Sequence, residues 1–259
     1  MLLLAQISDL HLDGTERAST RARRVVDHLR ALPRPVDALL VTGDIADHGA
    51  PAEYEEAAAL LDLPFPVLTC PGNHDERAAY RKVLLGESGG NDGGGDHADS
   101  NTTGTGPINR LHTVGDTAIL MCDATIPGQD EGLLDPETVS WLGRTLDEVR
   151  QMPTLIAFHQ PPVTLHHPLP DQHRLRNHDE FAALLADRPN VVAVLTGHAH
   201  TAASTWFAGR PLVVGPAITW TLRMPWEGDS AADRDAPPAL AYHVLDDEGQ
   251  LTTHFRVVA

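Results

Sequence analysis

Five short apolar runs, each ending in a polar motif, constrain this chain more than any other feature. Residues 2–7, 38–42, 66–70, 154–158 and 191–195 have strand character. They lead directly into Asp9-Leu10-His11, Gly43-Asp44, Gly72-Asn73-His74-Asp75, His159 and Gly197-His198-Ala199-His200. Amphipathic stretches lie between them. Over residues 19–32, Ala22, Val25, Val26, Leu29 and Leu32 fall on one helical face. Further helices are expected at 51–61, 76–85 and 179–186. Asp135-Pro136-Glu137 announces another, with Asp at the N-cap and Pro in the first turn. Residues 117–122 add a strand, and after His200 the pattern turns to β at 203–207, 211–214, 240–245 and 251–257. This alternation with a β-rich end predicts an α/β fold, a four-layer α/β/β/α sandwich of two mixed sheets flanked by helices.

No repeat or linker divides the 259 residues, so the expectation is one domain over 1–259. A stretch at about 86–106 is Gly, Asp, Ser, Asn and Thr without apolar pattern, and reads as a flexible insertion. His97 and Asp99 within it read as solvated polar groups. Asp and Glu number 36 against 19 Lys and Arg, a formal charge of -17. That field repels phosphate backbones and argues against a broad nucleic-acid duplex face. No apolar run approaches the roughly 18 residues that a membrane span needs. The start, Met-Leu-Leu-Leu-Ala-Gln-Ile-Ser-Asp, lacks the basic region and apolar length of a signal peptide and reads as a first strand. Cys70 and Cys122, both in apolar runs, read as reduced core thiols of a cytoplasmic protein.

The carboxyl ends of strands in an open α/β sheet share one edge, where ligands bind. The five motifs therefore converge. Two carboxylates, four imidazoles and one amide, with no thiolate, suit Mn, Fe or Zn better than a structural cysteine site. Asp-x-His and His-x-His are expected to point alternate side chains to one side of an extended segment. Taken singly, each Asp reads as a cap and each His as a satisfied core group; five such motifs in order do not. Asp75 stays open between orienting a neighbouring group and capping the next helix.

In order and wording, these motifs resemble the calcineurin-like metallophosphoesterase signature over about residues 3–216. The resemblance implies a centre of two divalent or mixed-valence metal ions. It implies that Asp9, His11, Asp44 and His200 hold one ion, and that Asp44, Asn73, His159 and His198 hold the other, with Asp44 bridging. It implies a catalytic rather than ligating role for His74, facing the substrate phosphate and leaving group.

The segment Gly43-Asp44-Ile45-Ala46-Asp47-His48-Gly49 narrows the family. Protein Ser/Thr phosphatases carry arginines where this chain has His48 and Pro71. The wording is most similar to the class III cyclic nucleotide phosphodiesterases, as is Leu175-Arg176-Asn177-His178-Asp179-Glu180-Phe181. Gln160 departs from the second histidine common after the fourth motif and reads as a neighbour of the ligands. The implied function is hydrolysis of small phosphodiesters, with 3′,5′-cyclic AMP first. A glycerophosphodiesterase or broad-specificity phosphoesterase is the alternative, and a non-catalytic metal or nucleotide sensor is the alternative of another class. The resemblance adds a homodimer to the expected partners. His166, His167, His173 and His178 are read either as a substrate entrance or as a solvated loop. Trp220, Arg223 and Trp226 are read as base-stacking, subunit contact or ordinary packing.

Overall fold

Alternating side chains along one strand build two layers at once. On β1 (Leu2–Ile7), Leu4 enters a core between two sheets while Ala5 and Ile7 enter another beneath helices. On β2 (Ala38–Thr42), Ala38 and Leu40 share the inner core, and Leu39 and Val41 the outer one. The computed structural model describes residues 1–87 and 106–259. Most of the insertion expected at 86–106, with His97 and Asp99, lies outside the described residues.

The outer face of the first sheet is covered by α1 (Glu16–Arg30), α2 (Pro51–Leu60) and, after β3 (Val67–Cys70), by α3 (Arg77–Val83). The chain then forms β4 (Arg110–Val114) and β5 (Thr117–Met121), a small ribbon of β6 (Thr125–Ile126) and β7 (Gln129–Gly132), and α4 (Pro136–Glu148). Next come β8 (Thr154–Ala157), α5 (Pro168–Gln172), α6 (His178–Leu185) and β9 (Val191–Thr196). The β-rich end comprises β10 (Ala203–Phe207), β11 (Arg210–Val214), the short pair β12 (Thr221–Leu222) and β13 (Ala232–Asp233), and then β14 (Ala239–Leu245) and β15 (Leu251–Val257).

One sheet has the order β15-β14-β1-β2-β3 and the other β10-β11-β9-β8-β5-β4. β1, β2 and β3 run parallel, as do β5, β8, β9 and β11; β14, β15, β10 and β4 add antiparallel pairs. Trp141, Leu142 and Leu146 of α4, with Phe181 and Leu185 of α6, cover the second sheet's outer face. The expected mixed-sheet sandwich is therefore observed. Asp135 caps α4 as expected, its carboxylate accepting from the Thr138 N–H at 2.7 Å. α1 begins earlier than expected because the Thr15 hydroxyl accepts from the Ala18 N–H. Cys70 and Cys122 are free and buried.

One polar chain crosses the inner core. Gln6 donates to the Thr42 hydroxyl at 3.0 Å and to the Thr196 carbonyl of the opposite sheet at 2.8 Å. Its amide oxygen accepts from His243 Nε2 at 2.9 Å, and Thr253 Oγ1 lies 2.8 Å from His243 Nδ1. Burial pushes the His243 imidazole down to about 3. Below its ordinary value of about 6.5 the unfolded chain binds a proton that the folded chain refuses, so stability falls with pH from there toward about 3. Between pH 6.5 and 5 this costs about 2 kcal/mol. In urea melts, wild type should lose about that much more than His243→Gln over this window. Parallel pH curves would contradict the assignment.

Candidate metal centre

The site grows from the ends of β1, β2, β3, β8 and β9. Past the strands, the first two loops stay paired: Asp9 N–H donates to Gly43 O, His11 N–H to Asp44 O, Leu12 N–H to Ile45 O, and Asp47 N–H to Leu12 O, at 2.9–3.1 Å. The residues of these turns are not extended. Asp9, His11, Asp44, His198 and His200 have φ of 54°, 45°, 49°, 67° and 51°. This corrects the expectation that Asp9-x-His11 and His198-x-His200 are extended pairs, because both lie beyond their strands. A left-handed conformation costs of order 1–3 kcal/mol for a residue with a Cβ and persists only where its surroundings fix it. Two glycines make room. A Cβ on Gly72 would stand 2.2 Å from Asp44 Oδ1, and one on Gly197 would stand 1.9 Å from Ser8 Oγ.

Six of the seven expected ligands supply atoms to two linked groups. Asp9, His11 and His200 place ligand atoms within 4.8 Å of one another, as do Asp44, His159 and His198; a third group at the same spacing, His11, Asp44 and His74, overlaps both. His11 Nε2 is 3.5 Å and His159 Nε2 3.1 Å from Asp44 Oδ2, so Asp44 faces both. The seventh, Asn73, places its Oδ1 3.0 Å from His198 Nδ1.

Three imidazoles are anchored at Nδ1. His11 meets Asp47 Oδ1 at 2.7 Å, His159 the Thr42 carbonyl at 2.7 Å, and His200 the Trp220 carbonyl at 3.2 Å. An Nδ1–H that donates leaves Nε2 as a lone pair in the neutral ring, aimed into the site. There His11 Nε2 and His200 Nε2 lie 3.2 Å apart, and His200 Nε2 lies 3.3 Å from Asp9 Oδ1. The buried atoms Asp9 Oδ1 and His159 Nε2 have no hydrogen-bond partner. Inward lone pairs facing carboxylates repel unless cations lie between them, so this donor set fits metal ions.

Without cations, a proton on His159 takes part of their place. Burial pushes Asp9 up, but the charge of His200, helped by His159, holds it at about 2. Burial opposes a charge on His159, yet Asp44, with Asp9 behind it, raises it to about 9. Asp44 is likewise held well below the carboxylate range, chiefly by His159 against the cost of burial. His198 is driven down to about 3 by burial, with the His159 charge adding to it.

Asp75 caps no helix; Glu76 does, accepting from the Ala78 and Ala79 N–H groups. Instead Asp75 accepts from Gly72 N–H at 2.9 Å, Ala46 N–H at 3.0 Å, Tyr54 O–H at 3.1 Å and Ile45 N–H at 3.2 Å. It ties the loop after β3 to the loop carrying Asp44. Burial, with the nearby Asp44 charge, pushes its carboxyl up to about 6 against those hydrogen bonds.

His74 is exposed beside His11, their ring centroids 4.6 Å apart. Its N–H donates to Asp44 Oδ1 at 2.9 Å, and its Nδ1 donates to the Asp47 carbonyl at 2.8 Å. Both lie on a cavity of about 260 Å³ whose other flank is Leu169, Pro170, Trp220 and Leu222. Among the described residues no Lys or Arg lines it; Asp47 and Asp130 do. Of the loop histidines only His173 lines the cavity, while His167 caps α5 through Nδ1. Arg223 pairs with Asp233, and Trp226 stands exposed. Gln160 turns its amide N–H toward the Asp130 carbonyl at 3.4 Å. The sequence reading gave no role to Asp47 or to the carbonyls of Thr42 and Trp220. The Asp in Gly-Asp-Ile-Ala-Asp was the only available signal for the first, and a backbone acceptor leaves none.

The profile of the family described as calcineurin-like phosphoesterase matches residues 2–202. The chain belongs to that family. Calcineurin-like phosphoesterases use a dinuclear metal centre, and the two linked groups above are this member's candidates for it. A Rhodococcus erythropolis protein named probable cyclic nucleotide phosphodiesterase is 30% identical over 257 residues, spanning 94% of this chain and 80% of that protein. Glycerophosphodiester phosphodiesterase GpdQ of Enterobacter lignolyticus is 29% identical over 252 residues, spanning 93% and 86%. Among solved structures, a dimetal phosphatase from Danio rerio superposes with a TM-score of 0.70 at 15% identity, covering 100% of this chain and 99% of that one; this likeness shows the fold. Among the described residues no helix is long and apolar enough to cross a membrane.

Proposed function

We propose that this calcineurin-like phosphoesterase is a metal-dependent phosphodiesterase acting on small diesters, 3′,5′-cyclic AMP first. The observation that carries the reading is a pair of metal-ligand groups linked by Asp44, which belongs to one and faces His11 of the other, beside a cavity that no Lys or Arg lines among the described residues. A phosphomonoester dianion calls for added positive charge, as protein phosphatases supply with arginine. A diester carries one negative charge and is better matched to a wall containing Asp47 and Asp130. The apolar flank of Leu169, Pro170, Trp220 and Leu222 suits the flat apolar face of a nucleobase. The name of the Rhodococcus relative supports cyclic nucleotides. GpdQ, and carboxylates able to accept from glycerol hydroxyls, support glycerophosphodiesters as the second reading.

In this reading Asp9, His11, Asp44 and His200 hold one Mn, Fe or Zn ion, and Asp44, Asn73, His159 and His198 hold the other. When bound, the ions supply an acidified water and offset charge on the phosphoryl oxygens. The protein's own residues do the rest. Thr42, Asp47 and Trp220 fix three rings so that Nε2 faces inward. His74, held at Nδ1 by the Asp47 carbonyl, keeps Nε2 for the substrate, and as an imidazolium it delivers a proton to the leaving ribose oxygen as the P–O bond breaks. The two buried free thiols fit a cytoplasmic setting, and a homodimer is the expected assembly, read by sedimentation.

His74→Ala should retain metal and lower kcat on cyclic AMP by about 10²–10⁴-fold. A p-nitrophenolate leaving group needs little protonation and should suffer less. An equal loss on both substrates would show that His74 positions phosphate instead. Chelation followed by Mn²⁺ should abolish and restore turnover of bis(p-nitrophenyl) phosphate, and a restored protein without turnover would be a sensor. The proposal fails for cyclic AMP if glycerophosphodiesters give the higher kcat/KM.

A further inference from the structure

We infer that the Asp47 carboxylate is the positioning residue for His11, setting the strength of one metal position and not the other. The inference rests on the proposed ligand sets. Its observation is a division of labour between two aspartates on neighbouring loops. The Asp75 carboxylate serves the backbone, accepting three N–H groups. The Asp47 carboxylate accepts no backbone N–H among the described residues. Its hydrogen bond goes to His11 Nδ1, 2.7 Å from Oδ1.

Asp47 itself is held by its main chain, its N–H donating to Leu12 O and its carbonyl accepting from His74 Nδ1. The carboxylate therefore stands on a fixed loop behind the His11 ring, on the side away from Asp9, Asp44 and His200. From there it can do three things: fix the tautomer with Nδ1 protonated, set the ring plane, and raise the electron density at Nε2. A carboxylate behind a ligating imidazole characteristically does all three, and its loss weakens metal binding by about 10–100-fold. Two other imidazoles are near it, both farther than His11: His48 Nδ1 is 2.8 Å from Glu53 and its Nε2 reaches Asp47 at 3.4 Å, while His74 Nδ1, given to the Asp47 carbonyl, lies 3.7 Å from Oδ1. No comparable carboxylate stands behind His159 or His200, whose Nδ1 atoms meet carbonyls. The second position should be indifferent to Asp47.

The test titrates metal-free protein with Mn²⁺ by calorimetry. Wild type should bind two ions. Asp47→Ala should bind one with unchanged affinity and the other about 10–100-fold more weakly. Asp47→Asn, which keeps an acceptor oxygen and loses the charge, should fall between. The double variant His11→Ala/Asp47→Ala should bind as His11→Ala alone does, because a residue acting through His11 has nothing left to act on. Metal-free Asp47→Asn, which keeps an acceptor for His11 Nδ1, should unfold as wild type does, whereas Asp47→Ala leaves that buried N–H unpaired and should melt lower. Equal weakening of both positions, unchanged binding, a further loss in the double variant, or lowered metal-free stability in both Asp47 variants would each overturn the inference. A wild type that binds fewer than two ions would instead overturn the ligand assignment on which it rests.

Discussion

Asp44→Ala should bind neither metal ion at concentrations that saturate wild type, and its turnover of any diester should fall by at least about 10³-fold. The expectation follows from its position. One oxygen lies 3.1 Å from His159 Nε2 and 3.5 Å from His11 Nε2, so a single truncation strips both ligand groups. The other oxygen accepts from the His74 N–H, so the same truncation loosens the proton donor. Metal content by atomic emission checks this directly. One ion per chain retained at full occupancy would show that Asp44 is not shared.

Asp75→Ala should cost about 3–5 kcal/mol of stability, although Asp75 is no ligand in the proposed set. Its loss leaves the N–H groups of Gly72, Ile45 and Ala46 and the Tyr54 hydroxyl without their acceptor. Each unsatisfied buried donor costs about 1–3 kcal/mol, partly recovered where water enters. Asp75→Asn should not restore full stability, because either orientation of its amide turns the NH2 toward at least one of those backbone N–H groups. Urea melts of the metal-free proteins measure the cost. A loss under about 1 kcal/mol in the alanine variant would show that the loops hold without this latch.

The convergence of the candidate ligands was legible because their residue types are rare in sequence and follow strands at fixed order. The sandwich of two sheets flanked by helices was legible because buried parallel strands read as short apolar runs. β4 was not foreseen, since Arg110–Val114 is a half-exposed edge strand whose polar residues break the pattern. α5 was missed because five residues with two prolines give no helical period. The extended geometry expected for Asp9-x-His11 failed because spacing alone does not report where a strand stops, and these residues lie past its end in left-handed turns. Asp75 and Glu76 both suit an N-cap, and only tertiary contact with Tyr54 and the Asp44 loop assigns one to the latch and the other to the cap. Asp47 depended on loops 10–12 and 45–47 staying paired beyond β1 and β2. The apolar flank joins residues about fifty positions apart, Leu169 and Trp220, a juxtaposition that no local pattern encodes.

The most direct test is turnover of bis(p-nitrophenyl) phosphate by metal-free protein as Mn²⁺ is added in measured equivalents. A centre in which Asp44 serves two ions predicts negligible turnover up to one equivalent per chain, a rise between one and two, and a plateau at two. Full activity at one equivalent, or activity that survives complete chelation, would contradict it.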